Sequence, residues 1–337
     1  MNAAGSIGFA AALAFATSAH AQTPAEFYKG KTISIAVGFS AGDGTDTWAR
    51  LIARHMPAHM PGAPAFTVVN TPGAGSLLLT NQLGNTQPKD GTVFGAINRG
   101  MPFEPLLGVA PTQFDALKFN WLGSPDQDTA VCAARAEAPA QSLADLKDRE
   151  LIVGATGSGA DTATIPAVLR VVLGLKLRIV TGYPGSRDIL LAIERGEVQG
   201  ICVNYDSLTR EPVYRNGVAR ILFQAASKSD ARLTQYPVAS SIASSPYEMQ
   251  ALQLFFTRAE IGRPFVAPPG VPADRLAALR QAFADTLQDP ELKADAETVG
   301  LNLRPVSAAE TENIIRRVYA TPRDVVERMK RMFGRGL

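Results

Sequence analysis

Six times in this chain an apolar run ends in a short loop of glycine, hydroxyl or amide residues, and that repetition constrains the fold more than any other feature. The fullest example is Ile33 to Trp48. Its β-branched stretch gives way to Ser40-Ala41-Gly42-Asp43-Gly44-Thr45-Asp46 and then to a helical period. Glycine lets the backbone come close to a ligand, and the first N–H groups of a helix have no intrahelical partner. Strand, glycine loop and helix start together make the local recipe for an anion site.

The junctions fall into two clusters. In the first, strands are expected at Thr32–Phe39, Phe66–Asn70 and Val93–Asn98. A helix over Asp46–Met56 has Trp48, Leu51, Ile52 and Met56 on one face, and a second opens after Thr71–Ser76. Such alternation implies a parallel sheet covered by helices. Trp121–Ala134 has no helical period and reads as an extended crossing. The second cluster has strands at Leu151–Ala155, Arg178–Thr181, Val198–Asn204 and Ala219–Gln224. Its helices cover Thr164–Leu173 and a segment capped by Ser186 and closed by Gly196. Leu252–Phe256 reads as a second extended crossing. The tail is helical: Asp274–Leu287, a capping box at Ser307-x-x-Glu310, and an N-cap at Thr321 with Pro322 in the first helical position. The simplest topology is an α/β chain of two lobes, 22–124 with 250–337 and 125–249, joined by two crossing strands as a hinged clamshell.

A chain of 337 residues, 46% hydrophobic and 19% charged, is globular and long enough for two domains. A net charge of +2 gives no reason to expect nucleic acid or an anionic membrane as partner. Met1–Ala21 is apolar from Ile7 to Thr17 and closes on Ala19-His20-Ala21, the pattern of an export signal, although no Lys or Arg precedes the apolar core. The mature protein is therefore expected outside the cytoplasm. Cys132 and Cys202 each fall in an expected strand. In an oxidising compartment they either pair or sit as inert core residues, and both readings stay open.

Ligands of open α/β sheets sit beyond the carboxyl ends of the strands. Lobe one places Ser40–Asp46, Thr71–Ser76 and Arg99-Gly100 there, and lobe two places Thr156–Asp161, Gly182–Ser186 and Asn204–Ser207. Facing each other, these loops line one cleft with backbone donors, hydroxyls and few fixed charges, which suits a small carboxylate. Arg99 is the one cation at such a strand end, either a carboxylate partner or a solvated surface residue. Asp43, Asp46 and Asp161 stand at helix starts and read as caps. Asp206 follows a strand with no obvious helix start and reads more as a ligand contact.

Enzyme readings do poorly. Thr47 stands where a dinucleotide fingerprint begun by Gly42-Asp43-Gly44 needs its third glycine. Thr156-Gly157-Ser158-Gly159 has the wrong spacing for a nucleophile elbow. His55 and His59 have the spacing of a metal pair, but Met56 and Pro57 replace what a metalloprotease helix requires, so no metal or cofactor is expected.

Several segments carry a family likeness. They are Phe27-Tyr28-Lys29-Gly30-Lys31-Thr32-Ile33, Val37 to Asp46, Asn70-Thr71-Pro72-Gly73-Ala74-Gly75-Ser76, Pro88-Lys89-Asp90-Gly91-Thr92 and Val266-Ala267-Pro268-Pro269-Gly270-Val271-Pro272. In this order, over essentially the whole mature chain, they resemble the tripartite tricarboxylate transporter receptors, also called Bug-type solute-binding proteins. The resemblance implies a periplasmic-binding-protein fold of the Venus flytrap, type II-like kind with two crossover strands. It implies a monomeric, non-catalytic receptor that gives a small carboxylate to the membrane permease of such a transporter. Ligand contacts are implied at Phe39, Ser40, Ala41, Gly42, Asp43, Asp46, Gly73, Ala74, Gly75 and Ser76. In lobe two they are implied at Thr156, Ser158, Gly159, Tyr183, Gly185, Ser186 and Asp206, and position adds Arg99, Gly100 and Asn204. Family loops often have Pro-Gly-Gly-Gly where this chain has Ala41-Gly42-Asp43-Gly44, and a neutral residue where it has Arg99. The rival readings are a receptor that presents its ligand to a sensor kinase and an enzyme on the same scaffold.

Overall fold

A computed structural model of the chain describes residues 22–107 and 111–333. The expected export signal, Met1–Ala21, lies outside the described residues. Eleven strands are described, β1 (Thr32–Val37), β2 (Ala65–Asn70), β3 (Val93–Ala96), β4 (Asn120–Ser124), β5 (Ala130–Arg135), β6 (Leu151–Gly154), β7 (Leu177–Val180), β8 (Gly200–Asn204), β9 (Ala219–Gln224), β10 (Phe265–Ala267) and β11 (Val306–Ser307). They form two sheets, ordered β11-β4-β10-β3-β1-β2 and β7-β6-β8-β5-β9.

In the first sheet β1 is parallel to β2 and β3, while β10 runs antiparallel between β3 and β4. The carboxyl ends of β1, β3 and β4 therefore share an edge with the amino end of β10. In the second, β6 is parallel to β7 and β8, and β5 is antiparallel to β8 and β9. Here the carboxyl ends of β6, β8 and β9 share an edge with the amino end of β5. The chain crosses from β4 to β5 through 125–129 and returns from β9 to β10 through 225–264. Both crossings join these two edges, so the functional edges of the sheets face each other.

Helices close the faces. On one side of the first sheet, Gly44–His55 and Ala273–Thr286 bury Trp48, Ile52 and Phe283 against Phe94 and Phe265. A second core runs continuously from Leu79, Leu83 and Ile315 of the first lobe to Leu151, Val168 and Phe223 of the second. Among the described residues no helix is long and apolar enough to cross a membrane.

Four local expectations change. Leu252–Phe256 is the end of a helix, Pro246–Phe256, which packs on the helix Asp161–Leu173. A short apolar run does not separate strand from buried helix, whereas Ser245, whose side chain accepts from Glu248 N, fixes the helix start. Trp121–Ala134 divides into β4 and β5 on different sheets, and Asp206 lies inside a short helix, Tyr205–Thr209. At the tail, Val325 and Val326 N–H groups bond to the Pro322 carbonyl, so the last helix begins at Arg323, one residue beyond the expected start. Cys132 and Cys202 face each other in register on β5 and β8 and form a disulfide.

Candidate functional site

The cavity between the facing edges is lined by Phe39, Asp43, Thr45, Ile97, Asn98, Arg99, Thr156, Asp161, Thr162, Ser186, Val203, Asn204, Ser207, Gly262 and Arg263. Six residues expected from the sequence are among them: Phe39, Asp43, Arg99, Thr156, Ser186 and Asn204.

Asp43 is placed by the loop after β1, with Gly42 at a φ of 84° that a side chain adopts poorly. It is the N-cap of Gly44–His55, its Oδ1 accepting from Thr45 N at 2.9 Å. Its Oδ2 accepts from Ser186 N at 3.1 Å and Ser186 Oγ at 2.5 Å, across the cleft. Ser186 is thus the first residue of its helix, with Gly185 at the cap position. Its capping acceptor comes from the other lobe. Asp43 caps one helix in each lobe.

Asp46 does something else. Its carboxylate accepts from Gly42 N, from both ends of the Arg50 guanidinium and from Asn70 Nδ2, all between 2.7 and 3.0 Å. Burial pushes its pKa up, but these donors outweigh burial and hold it below the usual carboxylate range. It ties the loop to its own lobe and does not line the cavity.

Arg99 is not a surface residue, and its guanidinium already has partners. It is 4% exposed, its Nε pairs with Asp161, and its Nη1 donates to the Asp128 carbonyl at 2.8 Å. Asp161 also takes Arg258 at 3.4 Å. Burial raises the Asp161 pKa, and the two guanidiniums more than reverse it. Asp161 is therefore an ion-pair centre rather than only a helix cap.

Arg99 is not the only cation at this edge. Arg263 lines the cavity, pairs with Asp126 and donates to Ser207 Oγ at 3.0 Å. Burial pushes its pKa down to about 10, with Asp43 opposing. It precedes β10, whose reversed direction brings an amino end to the cleft. Asn98, Thr45, Thr162, Ser207 and Gly262 were missed too. Thr45, Thr162 and Ser207 lie within or beside the loops already singled out, and Asn98 ends an expected strand.

The other expected residues serve the walls. Ser40 Oγ donates to Asp188 Oδ2 at 2.9 Å across the lobes, and the Gly42 carbonyl accepts from Arg210. Ala41 and Ser158 are exposed. The Gly73-Ala74-Gly75-Ser76 loop meets lobe two directly, since a side chain at Gly75 would strike Ala160 and one at Gly157 would strike Ala74. Ser76 keeps a left-handed φ of 82°, and its Oγ accepts from Asn98 N. Gly100 packs by Arg258 and Asp161, Gly159 by Met101 and Glu104, and Gly185 by Ser40. Tyr183 is half-buried on the lobe-two core. Asp206 is buried behind the cavity, where its N–H donates to Asp128 Oδ2 and its carboxylate accepts from Asn302.

His55 and His59 bond to carboxylates of the C-terminal lobe-one segment. His55 Nε2 lies 3.0 Å from Asp295, and His59 Nε2 lies 3.1 Å from Asp289.

Two facing α/β sheets with a reversed strand inserted in each and a polar cleft between their edges define the periplasmic-binding-protein fold. Solved structures of the same fold include periplasmic binding proteins such as BugD. MatC from Rhodopseudomonas palustris with bound malate is similar with a TM-score of 0.71 and 21% identity, covering 88% of this chain and 99% of its own. A second R. palustris protein with adipate has a TM-score of 0.70 and 20% identity, covering 90% and 97%. The periplasmic binding protein BugD has a TM-score of 0.69 and 20% identity, covering 92% and 98%. No family model and no curated protein matches the chain.

Proposed function

We propose that this chain is an exported solute receptor that captures a small carboxylate-bearing molecule between its lobes and hands it to the permease of a tripartite tricarboxylate transporter. The observation that carries this reading is the interlobe cavity, where Arg99 and Arg263 stand beside Thr156, Asn98 and Asn204. Charge-assisted bonds to guanidinium and bonds to neutral donors are how a carboxylate is held in a buried cleft. Malate and adipate in proteins of the same fold support the class of ligand. The two lobes, 22–124 with 250–337 and 125–249, would separate about the crossings to admit it, and the closed form would dock on the membrane partner as a monomer. Residues Met1–Ala21 would be removed on export.

A thermal-shift screen against mono-, di- and tricarboxylates tests this, because a ligand bound only by the folded state raises stability by RT ln(1 + [L]/Kd). At least one acid should shift the transition and be recovered unchanged. A shift with neutral sugars alone, or turnover of the acid, would remove the proposal.

A further inference from the structure

Both oxygens of Asp43 are engaged, one by its own lobe and one by the Ser186 donors of the other, and the residue is 6% exposed in the cavity wall. We infer that Asp43 is a specificity-determining residue, an internal carboxylate that consumes the Ser186 donors, so that the cleft accepts acids with one carboxylate and rejects diacids. This rests on the carboxylate-receptor reading above.

The charges around the cavity support it. The charged side chains that line the cavity are Arg99 and Arg263 against Asp43 and Asp161, two against two, and all four are buried. Buried charge is tolerated when paired, and an unmatched one is costly. A monocarboxylate adds a single negative charge beside Arg99 and Arg263, with the amides of Asn98 and Asn204 and the hydroxyl of Thr156 facing it. A diacid adds a second. Toward Ser186 that second carboxylate meets Asp43, a like charge already holding the N–H and hydroxyl it would need.

Calorimetric titration of the mature chain with matched pairs, lactate against malate and hexanoate against adipate, reads this directly. The monoacid of whichever pair binds should bind at least about tenfold more tightly than its diacid, a difference of about 1.4 kcal/mol. Asp43→Ser keeps a short oxygen for Thr45 N and frees the Ser186 donors, so the diacid should gain and the ratio shrink by about tenfold or more. Asp43→Asn, close in shape and neutral, should move the ratio the same way and guards against a fold defect in the serine variant. A wild-type preference for the diacid, or a ratio that neither variant alters, overturns the role of Asp43 and leaves the receptor reading standing. Binding of no acid from either pair or from the wider panel overturns both.

Discussion

The first glycine loop of each lobe is built to one local plan and ends in opposite roles. After β1 the loop reaches Asp43 and Asp46, and after β6 it reaches Asp161, each at the start of a helix. Asp46 is bound within its own lobe by Arg50, which is half exposed, and by Asn70. Asp161 is bound by Arg99 and Arg258, two buried guanidiniums outside its own loop and helix. Asp43 lies between these cases, capping its own helix and reaching across to Ser186. Strand-loop-helix chemistry sets where an aspartate stands, while long-range topology decides whether it holds a loop, an ion-pair network or the opposite lobe.

The sharpest way to break this comparison is Asp161→Ala, which strands Arg99 and Arg258 without their shared anion. Breaking a buried pair by removing one partner costs about 3–5 kcal/mol. Urea denaturation should show that loss, and a loss under 1 kcal/mol would mean water reaches both arginines. The sheets differ as well, since the second is stapled by Cys132–Cys202 across 70 residues of chain. Replacing both cysteines by alanine should lower stability by about 2–4 kcal/mol, mainly through a freer unfolded chain. An unchanged midpoint after reduction of the native protein would show the staple to be idle.

Asp46→Ala supplies the contrast with Asp161. Arg50 turns to water when its partner is removed, and what remains lost is hydrogen bonding to Gly42 N and Asn70. The expected cost is about 1–2 kcal/mol, the scale of charge-assisted hydrogen bonds. A cost equal to that of Asp161→Ala would erase the distinction between the two loops.

How much of this was legible depends on the range of the interaction. β1, β2, β6 and β8 announce themselves because β-branched runs end at glycine or asparagine, and the Ser307 cap is local, its Oγ accepting from Glu310 N. The helix Pro246–Phe256 was legible at Ser245-Pro246-x-Glu248, yet five apolar residues at its end read equally well as strand. Arg263 was hidden because only the antiparallel insertion of β10 carries its amino end to the cleft. Arg99 was legible at its strand end, but its pairing was not, since nothing near it in sequence points to Asp161, 62 residues away. Candidate site residues emerged where a loop alone defines them. Their pairings across the lobes did not.

The third junction of lobe two departs furthest from the plan. Asp206 meets not a guanidinium but a second carboxylate, Asp128, in the first crossing, with Arg232 at 3.2 Å on its far side. Burial first, then the Asp206 charge, push the Asp128 pKa up to about 7, and burial raises that of Asp206. A carboxyl raised on folding binds its proton more tightly in the folded state. The stability it contributes is therefore full below the unfolded value of 3.8 and is lost as pH climbs through about 7. Asp128→Asn removes the charge while keeping an oxygen for Asp206 N. The variant should exceed wild type at pH 8 by on the order of 1 kcal/mol, with the gap closing towards pH 5. Equilibrium unfolding at the two pH values reads the difference. A variant that loses stability equally at both would place Asp128 with Asp161, as an anion the arginines require.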